Sequence, residues 1–168
     1  IQTRPVLVGP LTFLLQGKVK GETKAIDLLD NILPAYKEIL TKLKELGATE
    51  VQIDEPSLVT DLDDATREAY KKAYAELADS GLEITLATYF SDLGDNLETA
   101  VNLPVSALHI DLSQRGKDQL DAVLAAAPEG LKLSLGVIDG RNIWKANLSD
   151  ALATLEKAVE ARGSENII

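Results

Sequence analysis

Two adjacent carboxylates, Asp54 and Glu55, stand at the end of the apolar run Val51-Gln-Ile and are followed at once by Pro56. A proline disfavours helical backbone in the residue before it, so Glu55 is expected to be extended and the pair rigid. Such a pair can bind an amine, pair with an arginine, or divide the roles of general acid and general base. The alternative is structural: the carboxylates accept backbone N–H groups of a helix end or a loop. A second group is Asp139-Gly140-Arg141-Asn142, behind the run Leu133–Ile138. Gly140 permits a tight turn, Arg141 offers a planar fork for a carboxylate, and Trp144 offers a stacking face. An anion or an aromatic ligand would suit it; an internal Asp139–Arg141 bridge with Trp144 packed beneath is the structural reading. Asp111 closes a third run, Leu108-His-Ile, and Tyr89 a fourth, Ile84–Thr88. His109 is the single histidine, and its place inside an apolar run suits a hydrogen-bonded packing residue better than a metal ligand. Ser91-Asp92-Leu-Gly-Asp95-Asn96 lacks the spacing and terminal glutamate of a calcium loop and reads as the approach to a helix.

Such residues work together only if the elements that carry them end on one side. The pattern predicts strands near 5–9, 50–54, 82–88, 105–110 and 131–138, with a last one opening at Ser164–Ile168. Helical spacing fills Lys24–Leu46, Asp61–Asp79, part of Leu93–Leu103, Lys117–Ala127 and Leu148–Arg162. Gly9-Pro10 breaks the chain after the first strand, and Pro34 is expected to kink its helix or mark a join. Alternation of strand and helix implies a parallel sheet with right-handed crossovers, and the strands read as near-continuous apolar runs covered on both faces. Chemistry in such sheets lies at the carboxyl ends of the strands, where all four runs stop. No Gly-x-Gly-x-x-Gly follows the first strand, so the dinucleotide fingerprint is missing.

The 168 residues are 45% hydrophobic and 26% charged, enough for one core. A net charge of −10 argues against nucleic acid and anionic membrane surfaces as partners. With no cysteine there is neither a disulfide nor a thiolate metal site in this sequence, which fits a cytoplasmic protein. The sequence starts at Ile1 without a methionine and stops at Asn166-Ile-Ile168, as a strand begins. The expectation is a fragment of a longer protein: five to six strands of an α/β (βα)8 TIM barrel.

Thr3-Arg-Pro-Val-Leu-Val-Gly-Pro-Leu-Thr-Phe13, Val51-Gln-Ile-Asp-Glu-Pro56, Ala87-Thr-Tyr-Phe90 and Leu135-Gly-Val-Ile-Asp-Gly-Arg-Asn-Ile-Trp-Lys145 resemble cobalamin-independent methionine synthase. They occur in the family's order, and the resemblance covers residues 1–168 as the later part of its N-terminal barrel. It implies two (βα)8 barrels and methyl transfer from 5-methyltetrahydropteroyl-polyglutamate to homocysteine. It also implies a zinc ion that activates the homocysteine thiolate, held in the C-terminal barrel and outside this chain. In that barrel, the positions matching Ala87 and Tyr89 carry a zinc histidine and cysteine, the one matching Asp111 a zinc glutamate, and the one matching Arg141 a proton-donor histidine. The position matching Asp54 grips homocysteine. The resemblance therefore implies a barrel that kept its scaffold, with no catalytic residue and no metal ligand of its own. The C-terminal barrel is then its partner, and Asp54, Glu55, Asp111, Asp139, Arg141 and Asn142 are rim candidates for binding. A small-acid or polyglutamate binding module using Arg141, Asn142 and Lys145 is a second reading. An unrelated barrel lyase or isomerase using Asp54 and Asp111 is a third.

Overall fold

Five strands form one sheet in a computed structural model that describes residues 3–113 and 116–168. They are β1 (Val6–Val8), β2 (Glu50–Asp54), β3 (Glu83–Ala87), β4 (Ala107–Asp111) and β5 (Lys132–Gly136). Their order across the sheet is their order in sequence, and all four pairings are parallel. Helices α1 (Pro10–Gln16), α2 (Leu29–Glu45), α3 (Asp64–Leu77), α4 (Leu97–Val101), α5 (Leu120–Ala126) and α6 (Leu148–Arg162) lie between and after the strands. A sheet wound strand by strand in one direction is the arrangement of an incomplete (βα)8 barrel.

Register decides what each face carries. Leu7, Ile53, Leu86, Leu108 and Leu133 are partners in succession and form one apolar row across all five strands. They join the cluster that includes Leu33, Leu40, Tyr70, Tyr74 and Val123 from the helices. One residue further on, the succession is Val8, Asp54, Ala87, His109 and Ser134. Side chains alternate between faces along a strand, so this row lies on the opposite, concave side. The expectation of apolar runs on both faces holds only for β3, where Ile84 to Ala87 are all buried. In β2 and β4 the concave positions Gln52, Asp54, His109 and Asp111 are polar and half-buried.

Helix α1 has no counterpart in the sequence reading, which took Gly9-Pro10 as a break. Pro10 instead stands at the first helical position, where its missing N–H costs nothing. Pro34 lies inside a continuous α2; the join is earlier, where a 3-10 turn over Ala25–Leu28 runs into Leu29. Asp63 caps α3 by accepting the Thr66 N–H at 2.8 Å, and Gly81 takes the left-handed conformation behind it. After α6, Ser164–Asn166 forms a 3-10 turn before Ile167 bridges Leu133 in parallel, so only the last two residues of the expected strand reach the sheet.

Arg162 fastens α6 to the loop that feeds β5. Its guanidinium donates to the carbonyls of Ala127 and Leu131, both at 2.9 Å, and to those of Pro128 and Glu129. Replacing Arg162 with alanine should remove these bonds and lower stability by about 2 kcal/mol. Urea unfolding of the two proteins checks this, and an unchanged midpoint would show that the clamp carries no net stability.

Candidate functional site

Asp54 and Glu55 part company at the end of β2, because neighbours on a strand face opposite sides. Asp54 stays on the concave face. Its Oδ1 accepts the Gln52 side-chain amide at 2.8 Å and its Oδ2 the Tyr89 hydroxyl at 3.2 Å. Glu55 turns away from the rim and is fully buried. Its carboxylate accepts the N–H groups of Leu11 at 3.2 Å and Thr12 at 2.7 Å, the second and third residues of α1. The hydroxyls of Tyr70 and Tyr74 on α3 donate to it at 3.1 and 3.4 Å. Glu55 therefore caps α1 from another strand, as the structural alternative supposed. Its backbone (φ −123°, ψ 62°) falls short of the expected extended form, because the chain bends straight into a 3-10 turn over Pro56–Val59. Gly9 makes room: a Cβ there would sit 2.1 Å from Glu55 Oε1. Burial without a cation drives the Glu55 carboxyl up to about 7, although the bonds from Thr12, Leu11 and Tyr70 pull the other way.

The other candidates meet around a cavity of about 430 Å³ at the carboxyl ends of β3, β4 and β5. Tyr89, Phe90, His109, Asp111, Ser113, Gly136, Ile138, Asp139 and Arg141 contribute to its lining. Asp111 Oδ1 accepts the Ser113 N–H at 2.9 Å and its hydroxyl at 2.6 Å, and Oδ2 accepts the Phe90 N–H at 3.3 Å. Burial raises the Asp111 carboxyl, but these donors outweigh it and hold the group below the ordinary carboxylate range. Phe90 has φ +86°, a conformation rare for a residue with a side chain, and in it the Phe90 N–H donates to Asp111. That conformation places the Phe90 ring edge-on to Tyr89, with centroids 4.6 Å apart, and under the Arg141 guanidinium at 5.1 Å.

His109 Nδ1 lies 2.9 Å from Ser134 Oγ, and a Cβ at Gly136 would come within 3.1 Å of the ring. Desolvation holds its pKa below the ordinary imidazole value, partly offset by Asp111 and Asp54. It is a hydrogen-bonded packing residue facing the cavity. Asp139 does not bridge Arg141. It accepts the N–H groups of Arg141 at 2.9 Å and Asn142 at 3.3 Å, and the Asn142 amide at 2.6 Å, which closes the turn and occupies Asn142. Trp144 is 77% exposed rather than packed beneath. The geometry thus joins Asp54, Asp111, Asp139 and Arg141 on one rim and excludes Glu55. The sequence reading gave Phe90 no role; its signal was an aromatic pair directly after a strand end.

These residues do not fit a zinc ion. Among the described residues no group of three histidine, cysteine, aspartate or glutamate side chains is placed to hold a metal. The two positions at the end of β3 are Ala87 and Tyr89, of which Ala87 offers no donor and Tyr89 is bonded to Asp54.

Residues 1–163 match the family model described as cobalamin-independent synthase, N-terminal domain. A 5-methyltetrahydropteroyltriglutamate–homocysteine methyltransferase from Nitrobacter winogradskyi is 54% identical over 169 residues, which is 99% of this chain and 22% of that protein. One from Salinibacter ruber is 50% identical over 171 residues, 100% of this chain and 22% of that protein. The chain spans about a fifth of the length of these curated relatives. Among solved structures, a B12-independent methionine synthase from Shewanella sp. W3-18-1, in complex with selenomethionine, superposes with a TM-score of 0.72. It is 14% identical, over 96% of this chain and 52% of that one, so it bears on the fold alone.

Glu55 makes stability depend on pH in a definite direction. Its native pKa near 7 lies above the ordinary value of 4.5, so the native state holds a proton that the unfolded state has lost between those values. The contribution is complete below about pH 4.5 and disappears as pH rises through about 7. His109 acts oppositely, because its lowered pKa favours the native state as pH rises towards 6.5. The difference between the wild type and Glu55→Gln isolates the carboxyl. Urea midpoints from pH 4.5 to 8 should show the wild type's advantage shrinking with rising pH; a constant difference would mean that Glu55 does not titrate there.

Proposed function

Because the chain belongs to the cobalamin-independent synthase N-terminal domain family, we propose that it is part of the N-terminal barrel of a cobalamin-independent methyltransferase. That enzyme transfers a methyl group from 5-methyltetrahydropteroyl-polyglutamate to L-homocysteine and forms L-methionine. Its relatives' names and the match over nearly all of this chain support the assignment. Zinc would serve the complete enzyme from outside this chain, as the activator of the homocysteine thiolate. The C-terminal barrel of the same protein is the proposed partner and the cytoplasm the proposed location. No helix among the described residues is long and apolar enough to cross a membrane.

Within that enzyme we assign this segment a scaffold and interface role, with no catalytic step of its own. The observation that carries the reading is Glu55. One carboxylate of the Asp-Glu-Pro run is spent on holding α1 to α3, and the other is bonded to Gln52 and Tyr89. An apolar groove of about 400 Å³ lined by Leu7, Val8, Phe13, Ile32, Tyr36 and Ile39 runs along the outer edge of β1 and suits an interface. Asp54, Asp111, Asp139 and Arg141 remain as a binding rim, with Asn142 holding its turn. The third reading, acid–base chemistry by Asp54 and Asp111, draws no support from the lowered pKa of Asp111, which leaves it a weak base.

The complete gene product decides the matter. It should methylate homocysteine without cobalamin, given zinc and a polyglutamylated methylfolate, whereas residues 1–168 alone should not. In the complete protein, Asp54→Ala should lower the thermal midpoint more than it lowers turnover. A large loss of turnover at an unchanged midpoint would place chemistry in this barrel and overturn the scaffold reading.

A further inference from the structure

The cavity at the β3–β5 ends carries both signs of charge and an apolar wall. Arg141 lies on the Phe90 ring, and among the described residues its guanidinium forms no ion pair. Its planar fork therefore retains the geometry that takes a carboxylate. Asp111 is the opposite pole. Its Oδ1 is filled by two donors from Ser113, whereas among the described residues Oδ2 receives only the long Phe90 N–H bond, and a carboxylate can accept about four hydrogen bonds. Oδ2 is thus open to an ammonium. Phe90 and Ile138, each about half exposed, form the apolar wall, and the space beside Gly140 is empty. His109, bonded to Ser134, adds an uncharged floor.

We propose that this mouth binds a free α-amino acid with an apolar side chain, its carboxylate on Arg141, its ammonium on Asp111 and its side chain against Phe90 and Ile138. The assignment rests on the rim being a binding surface and goes beyond the scaffold role. A simple carboxylate leaves Asp111 without its ammonium, and a simple amine leaves Arg141 without its anion. A polyanion such as a polyglutamate meets Asp54, Asp111 and Asp139 on the rim of a chain with net charge −10 and is repelled.

Calorimetric titration of the 168-residue chain with L-norleucine, hexanoate and hexylamine tests the proposal. Norleucine should bind, and each half-molecule should bind roughly tenfold more weakly or worse. Arg141→Gln and Asp111→Asn should each weaken norleucine by about the same factor, whereas Lys145→Gln should leave it unchanged. Arg141 is exposed, so Arg141→Gln keeps the test decisive even if Asp111→Asn fails to fold. No norleucine binding, hexanoate binding as well as norleucine, or wild-type binding by Arg141→Gln would each overturn the proposal. The titration uses neither zinc nor folate, so its failure is separable from a failure of methyl transfer in the complete enzyme.

Discussion

A single buried carboxylate organises the first half of this chain. Glu55 leaves β2 and enters a region where no cation meets it among the described residues, and four neutral donors from α1 and α3 take the place of water. Each donor belongs to an element that must therefore be present and correctly set. Thr12 extends the arrangement, since its hydroxyl accepts the Ser57 N–H at 3.2 Å and ties α1 to the turn after β2. The tyrosine hydroxyls are drawn into the same charge: burial first, then Glu55, raises Tyr70 and Tyr74 above their ordinary range. A buried carboxyl group satisfied only by dipoles tolerates little displacement, because losing one donor leaves desolvation uncompensated.

That constraint separates construction from the rim. With Glu55 committed behind the sheet, the concave side is left to short polar side chains and to loops. Tyr89, Phe90 and Arg141 then rest on one another in sequence, from Asp54 through two rings to the guanidinium. The Asp111 bond to the Phe90 N–H fixes the middle of that sequence. Rim geometry is thus tied to one backbone twist at Phe90.

Much of the fold was legible in the sequence. The bounds of β2 and α6 follow from local patterns and match the structure. Helix α1 was hidden because its cap is supplied 43 residues away by Glu55 and not by a neighbour. The sides taken by Asp54 and Glu55 were readable in principle from strand alternation, but the tyrosines that receive Glu55 come from the packing of α3, which local spacing does not encode. Collection of Asp54, Asp111, Asp139 and Arg141 on one rim was legible from parallel strands alone. The Arg141–Phe90 contact was not, because it depends on a left-handed residue that no propensity favours in phenylalanine.

Trp144, the single tryptophan, stands 77% exposed three residues beyond Arg141. Its emission therefore reports the water at the mouth of the sheet and says little about the interior. The interior chromophores are Tyr70 and Tyr74, fully buried and stacked with centroids 6.4 Å apart. Excitation selective for tryptophan follows the loop, and near-ultraviolet dichroism of the tyrosines follows the core. Two optical windows on one chain thus distinguish a loosened rim from a melted scaffold.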